Sequence, residues 1–547
     1  MFIKLNIMNK YFILFNAFII GLFSCQRKQK VDYIIKDAVI YTMNKNNEVA
    51  QCMAVSNGKI VSIGTNEDVL NDYDSDSIVS LKNQFIYPAF IDAHAHFFGL
   101  ANYLGECNLI GAKSVQEVIQ RLKTFYQKNP DKKWLIGRGW DQNLFPDKTF
   151  PSKESLDSVF PDIPVCLTRI DGHAIWTNSK AIEIAGITNT TTIEGGAILK
   201  NKKGEPTGIF IDNATALIEK HITPLSRKEI IQLLMKADSI CQKNNLHWIY
   251  DAGLEYWQIQ LLDSLIDKKL IRTKIYAMAL PTKENIEYFT HHKYINKEHF
   301  KVKAFKIYAD GALGSRGALL KQPYNDIDKN NIHPYGLLLI QADSLKKILQ
   351  FCYAHQLQVC THAIGDSANK FILQMYAQYL SNNNNKRWRI EHAQVVDTAD
   401  LWYFKEYQII SSVQPTHAIS DKNWATERLG QNRIHFAYAY QNLWQQNQML
   451  ALGTDFPVED VSPLKTFYAA VFRTDYDNKD TSVFQKEQCL TRIQCLRGMT
   501  IDAAYSAFLE NDYGSLEKGK YADFIVLDID LMNISQEQLS QYITNHH

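Results

Sequence analysis

The chain has 547 residues, 46% of them hydrophobic and 21% charged, with a formal net charge of +1 at pH 7. This composition excludes a disordered or fibrous protein and leaves room for one large α/β barrel with additions, or for several small domains. A charge so close to neutrality gives no reason to expect nucleic acid as a partner.

From Met8 the sequence reads MNKYFILFNAFIIGLFSCQRKQK. Lys10 supplies a positive flank, Tyr11 to Phe23 an apolar run, and Leu22-Phe23-Ser24-Cys25 follows. The run is too short and wrongly flanked for a spanning helix. It resembles a bacterial lipoprotein signal over residues 1–25, with Cys25 lipidated as the mature N-terminus; an uncleaved N-terminal anchor is the alternative. Either reading places the body on a membrane of the bacterial cell envelope, facing the periplasm. The other cysteines, Cys52, Cys107, Cys166, Cys241, Cys352, Cys360, Cys489 and Cys495, show neither a zinc spacing nor a disulfide framework. Most of them read as small buried hydrophobes.

After a polar linker from Gln26 to Lys30, VDYIIKDAVIYTM and MAVSNGKIVSIG alternate apolar and polar residues around Asn57-Gly58, a hairpin signal. At the far end GSLEKGKYADFIVLDID, Gly514 to Asp530, predicts a turn and a strand over Asp523 to Leu527. Residues 31–88 and 500–547 are therefore expected to build one small β-sandwich-like domain from both ends of the chain. Residues 89–499 alternate short apolar runs with amphipathic segments, which predicts a distorted (β/α)8 TIM-type barrel. An insertion is expected at about 111–216, because the interval between His96 and Lys306 exceeds what a few βα units need.

The strand-like runs FIDAHAH, KAFKIYADG, LQVCTHAIGD, WRIEHAQ, IISSVQP and MLALGTDFPV mostly end in residues able to do chemistry. A barrel assembles its active site from the C-terminal ends of its strands. His94 and His96, two residues apart on a strand, point to one face and can grip one ion. His362, His392 and Asp455 offer two more imidazoles and a carboxylate, donors that suit Zn²⁺ and related metals.

These residues carry a resemblance to the metal-dependent amidohydrolase superfamily, and within it to amidohydrolase family 3, the branch that includes N-substituted formamide deformylases. It extends from Val31 to Leu527, on FIDAHAH, GRGWDQNLFP, LTRIDGHAIWTNSKA, GEPTGIFIDNA, KIYADGALGSRGA, THAIGD, IEHAQ, GTDFPV and GSLEKGKYADFIVLD. The resemblance implies one or two divalent ions, Zn²⁺ first among them. It places His94 and His96 on the more buried ion, and His362 and His392 on the more exposed one. It places Lys306 at a lysine carboxylated in binuclear members, with Lys303 as a competitor three residues away, and Asp455 at the eighth-strand aspartate that binds metal and shuttles protons.

The implied reaction is hydrolysis of a non-peptide C–N bond in a small amide-type substrate, with water acidified by the metal and Asp455 as general base and then general acid. His173 matches a substrate-side position of the branch, where it hydrogen-bonds the carbonyl or its oxyanion; packing with Trp176 is its structural alternative. Arg138, Trp140 and Asp141 are pocket-wall candidates, and Arg316 is expected to pair with a substrate carboxylate or with Asp310. Phe456, where smaller residues are common in the family, is expected to narrow the pocket. A metal-dependent isomerase or deacetylase on the same barrel, and a non-catalytic envelope lipoprotein, are the competing functions. Further copies of the same chain are among the expected partners.

Overall fold

The computed structural model describes residues 28–327, 333–477 and 480–546. The lipoprotein signal and Cys25 lie outside them. The eight cysteines within them are free, and all but Cys489 are buried.

The chain forms two compact units. The smaller joins the described residues up to Tyr87 with Ser515–Ile529. One of its sheets runs in the order Lys59–Gly64, Cys52–Ser56, Tyr33–Lys36 and Ile78–Ser80. The hairpin between the first two turns at Asn57 and Gly58, whose φ values of 52° and 71° are what a two-residue turn with right-handed strand twist requires. A second four-stranded sheet is ordered Phe524–Leu527, Phe85–Pro88, Val39–Tyr41 and Val49–Ala50. Ile35, Met53 and Val55 of the first sheet and Ile40 and Ile86 of the second pack together with Leu516 as the core of this unit.

The larger unit holds the barrel. Phe90 to Ala95 is buried at all six positions, as befits a parallel strand covered on both faces. This is β1 (Phe90–Ala95). It is followed round the barrel by β2 (Leu246–Leu254), β3 (Lys274–Ala279), β4 (Phe300–Tyr308), β5 (Gln358–Ala363), β6 (Arg389–His392), β7 (Ile410–Val413) and β8 (Ala451–Leu452), all in parallel pairs. Just beyond β8, the Asp455 amide donates to His94 O at 2.7 Å and the His96 amide to Phe456 O at 2.8 Å, which ties the last strand to the first. Gly453 makes this approach possible, since a Cβ there would lie 2.5 Å from the His94 amide nitrogen.

Between β1 and β2 the chain builds a six-stranded sheet in the order Cys107–Asn108, Leu135–Trp140, Val165–Arg169, Ala174–Thr177, Pro206–Asp212 and Gly196–Lys200. Alternation fixes its two faces: Val165 and Leu167 join Trp140, Trp176 and Ile209 in one core, while Cys166, Ile175 and Phe210 join a second. The inserted fold thus starts at Cys107, a little before the expected residue 111.

The C-terminal boundary differs from expectation. Of residues 500–547 only the stretch up to Ile529 that follows Ser515 belongs to the β-rich unit, while the helices Ile501–Ser506 and Gln536–His546 belong to the barrel unit. The first is held there by buried Ala503 and Ala504 and by Tyr250 Oη donating to Ala503 O at 2.7 Å. The second buries Leu539 and Ile543, and Arg492 donates to the carbonyls of Leu531 and Ile534 just before it.

Candidate metal centre

Strand ends β1, β4, β5 and β6, with the turn after β8, bring the expected ligands to one end of the barrel. His94 Nε2 lies 3.6 Å and His96 Nε2 3.0 Å from Asp455 Oδ1. The His94 ring is 4.9 Å from that of His392, which is 4.6 Å from His362. Lys306 Nζ, fully buried, approaches His94 Nε2 at 3.2 Å. Lys303 instead sits over the Phe508 ring at 3.5 Å, away from the histidines. Donor atoms of His94, His392 and Asp455 all lie within 4.8 Å of one another. His362 stands at the edge, its Nε2 3.5 Å from Gly311 O.

Hydrogen bonding of the far ring edges decides what faces inward. His96 Nδ1 lies 2.9 Å from Ala252 O, and a carbonyl can only accept, so Nδ1 carries the proton. His94 Nδ1 faces Glu391 Oε2 at 2.5 Å and His392 Nδ1 faces Gln414 Oε1 at 2.7 Å, with the same consequence. Three lone pairs on Nε2 therefore converge with a carboxylate, and Asp455 Oδ1 has no hydrogen-bond partner. A cluster of acceptors at these distances needs a cation, or an extra proton between His96 and Asp455, to be stable. Imidazole and carboxylate donors held this way fit a divalent metal.

Electrostatics agree with lone pairs rather than protons. Burial, helped by the Lys306 charge, pushes His94 down to about 4, and burial also holds His362 and His392 well below the ordinary imidazole range. Lys306 falls to about 8 through burial, against the pull of Glu391 and Asp455. Burial alone would raise Asp455; a hydrogen bond from His96 and positive charge on the His94, His96 and His392 rings outweigh it and hold it well below the usual carboxylate range, a role that falls to a bound cation once those rings are neutral. His392 and Asp455 also take left-handed backbone, φ 73° and 63°, a strained conformation that aims both side chains at the cluster.

A cavity of about 620 Å³ opens over His96, Lys306, His362, His392 and Asp455. Its outer wall comes from the inserted sheet. There His173 faces the His362 ring at 5.0 Å, and its Nδ1 lies 2.7 Å from Asp212 Oδ1. Trp176 packs against Trp140 instead, at 6.2 Å.

Arg138 and Asp141 line the cavity, but Asp141 is committed to Arg169 at 2.5 Å. Trp140 is not a wall residue: it is fully buried in the core of the insertion, its Nε1 donating to Leu167 O at 2.7 Å. Arg316 reaches neither the cavity nor Asp310. It pairs with Asp326 at 2.9 Å, while Asp310 accepts the backbone amides of Leu319, Ile364 and Gly365. Phe456 does not narrow the pocket, because its side chain is fully buried and only its backbone meets His96.

Sequence reasoning missed several partners. Glu391 sits inside IEHAQ beside a histidine that drew the attention; Arg389-x-Glu391 at period two was the available signal. Asp251, at the end of β2, accepts the amides of Phe97 and Phe98 and so holds the turn after His96. His417 Nε2 lies 3.5 Å from Asp455 Oδ2. Asp212 entered only as part of a motif.

A comparison with protein families matches residues 77–543 to the amidohydrolase family. The candidate amidohydrolase YtcJ of Bacillus subtilis is 30% identical over 512 residues, covering 91% of this chain and 95% of its own length. The N-substituted formamide deformylase of Arthrobacter pascens is 22% identical over 542 residues, covering 94% of this chain and 96% of its own. Among solved structures, an uncharacterized metal-dependent hydrolase of Pyrococcus horikoshii superposes with a TM-score of 0.73 at 26% identity, over 92% of this chain and 99% of that one.

Proposed function

The chain belongs to the amidohydrolase family, and from that premise we propose that it is a metal-dependent hydrolase cleaving a non-peptide C–N bond. The observation that carries this reading is the convergence of His94, His96 and His392 lone pairs on Asp455 beneath a cavity of small-molecule size, about 620 Å³. The intact donor set speaks for catalysis over a purely structural role.

His94, His96 and Asp455 would hold the more buried ion, Zn²⁺ by donor chemistry. His392, expected on the more exposed ion, is close enough to His94 and Asp455 to share the first, and His362 and a carboxylated Lys306 would complete a second site. Such an ion polarises a carbonyl and makes water more acidic. Asp455 would accept a proton from the attacking water as oxygen adds to the carbonyl carbon. It would then deliver that proton to the amine nitrogen as the C–N bond breaks. His173 would hydrogen-bond the carbonyl oxygen from the opposite wall. The reading extends to a lipid anchor at Cys25, which rests on the residues before it.

The test is metal analysis of the purified protein together with assays on N-formyl and N-acyl amines. At least one equivalent of metal and chelator-sensitive turnover are expected. Less than one equivalent, with no activity after adding Zn²⁺, would overturn the reading.

A further inference from the structure

His173 and Asp212 face each other across an antiparallel ladder. Ala174 pairs with Ile211, and one residue beyond, the Asp212 amide donates to His173 O at 2.9 Å while His173 Nδ1 meets Asp212 Oδ1 at 2.7 Å. Asp212 is built in rather than incidental. Its carboxylate is fully buried, its backbone is left-handed at φ 51°, and its Oδ2 has no hydrogen-bond partner. Two glycines of the ADGALGSRG loop enclose it: a Cβ on either Gly311 or Gly317 would collide with Oδ2. A buried aspartate held in strained backbone, against two residues that can carry no side chain, is costly unless it does something.

What it does is fix a ring. With Nδ1 tied to Asp212, His173 has one free edge, and the ring lines the cavity 5.0 Å from His362. We propose that Asp212 is a positioning residue that pins the Nδ1 edge of His173 and so turns Nε2 toward the reacting group of a substrate bound over the metal centre. The hydrolase reading supplies only the identity of that group, a carbonyl, to which Nε2 donates when the ring carries a proton on both nitrogens, its charge balanced by the Asp212 carboxylate; the hold of Asp212 on the ring stands apart from it. A carboxylate that balances the charge and sets the direction of a substrate-facing imidazole is a recurrent way to place a hydrogen bond without moving the backbone.

Two measurements on the full-length, Zn²⁺-loaded protein test this. The first is histidine-selective ¹⁵N NMR of the wild type, with His173→Asn to assign the ring, and of Asp212→Asn. Protons on both ring nitrogens of His173 are expected in the wild type, with the Nδ1 resonance displaced in Asp212→Asn. An unchanged ring in Asp212→Asn overturns the proposal. The second is a double-mutant cycle in turnover of an N-formyl amine, using Asp212→Asn, His173→Ala and both together.

Asp212→Asn should lower kcat about 10²-fold with KM little changed and leave metal content unchanged. In the His173→Ala background it should cost nothing further. Fully additive losses would mean that Asp212 supports the fold and not the ring, and would overturn the proposal. If the wild type turns over no amide, the hydrolase reading fails, and the NMR result alone decides for or against Asp212.

Discussion

The His94 imidazole and the Glu391 carboxylate meet at 2.5 Å where neither side chain is exposed at all. Glu391 is itself clasped by Arg389, through Nε at 2.7 Å and Nη2 at 2.8 Å, and Arg389 also donates to Ala93 O and Ser412 Oγ. The Arg389 charge and the His94 hydrogen bond keep Glu391 ionised despite burial, well below the usual carboxylate range. The carboxylate therefore accepts from His94 Nδ1 and raises the basicity of Nε2, the atom aimed at the metal. Glu391→Gln keeps the shape and removes the charge. Metal affinity should fall about 10–100-fold, read by chelator competition, with some loss of stability because Arg389 is left without its counter-charge. An affinity unchanged within error would show that Glu391 serves only Arg389.

Asp455 joins two roles that a single substitution separates. Asparagine keeps an oxygen facing His94 and His96, 3.6 and 3.0 Å away in the native protein, but cannot hold the transferred proton. Asp455→Asn should lower kcat by about 10²–10⁴-fold while much of the metal stays bound, as counted by elemental analysis. His94→Ala should lose both metal and turnover. Near-normal turnover in Asp455→Asn would refute the proton-shuttle assignment.

The histidines were legible in the sequence because period two and strand-end position are local properties of FIDAHAH and IEHAQ. Their supports were not. Glu391 acts on His94 from 297 residues away, and no local pattern records that contact. Arg316 misled for the same reason: its partner Asp326 lies outside the motif that suggested Asp310. The barrel showed in its repeated apolar runs, whereas the true extent of the C-terminal β segment depends on where Leu539 and Ile543 find a core.

Lys306 is pushed down to about 8 by burial, so at mildly alkaline pH much of it is the free amine that carbamate formation requires. If the carbamate forms, it adds a carboxylate beside His94 Nε2, 3.2 Å from the present amine, and completes a second cation site. Protein loaded with excess Zn²⁺ in bicarbonate buffer should then bind two ions per chain, and about one in carbon-dioxide-free buffer. Lys306→Met should bind one in both. Equal loading of the wild type in the two buffers would rule out carboxylation as the means of binding a second ion.

Asp502 gives a prediction about stability that is independent of the metal. Its carboxyl is buried in the helix Ile501–Ser506, and burial pushes it up to about 7 although Arg497 lies 3.6 Å away. Its unfolded value is the ordinary one, 3.8. Between these two values the folded chain holds a proton that the unfolded chain has lost, so raising pH through this window favours unfolding. The contribution of Asp502 thus falls as pH rises from about 4 to about 7 and is constant beyond. Asp502→Asn cannot ionise and escapes this loss. Its melting temperature should match the wild type near pH 4.5 and exceed it at pH 8, by an amount on the order of 1–2 °C or more. A difference of the same size at both pH values would show that Arg497 compensates the buried charge in full.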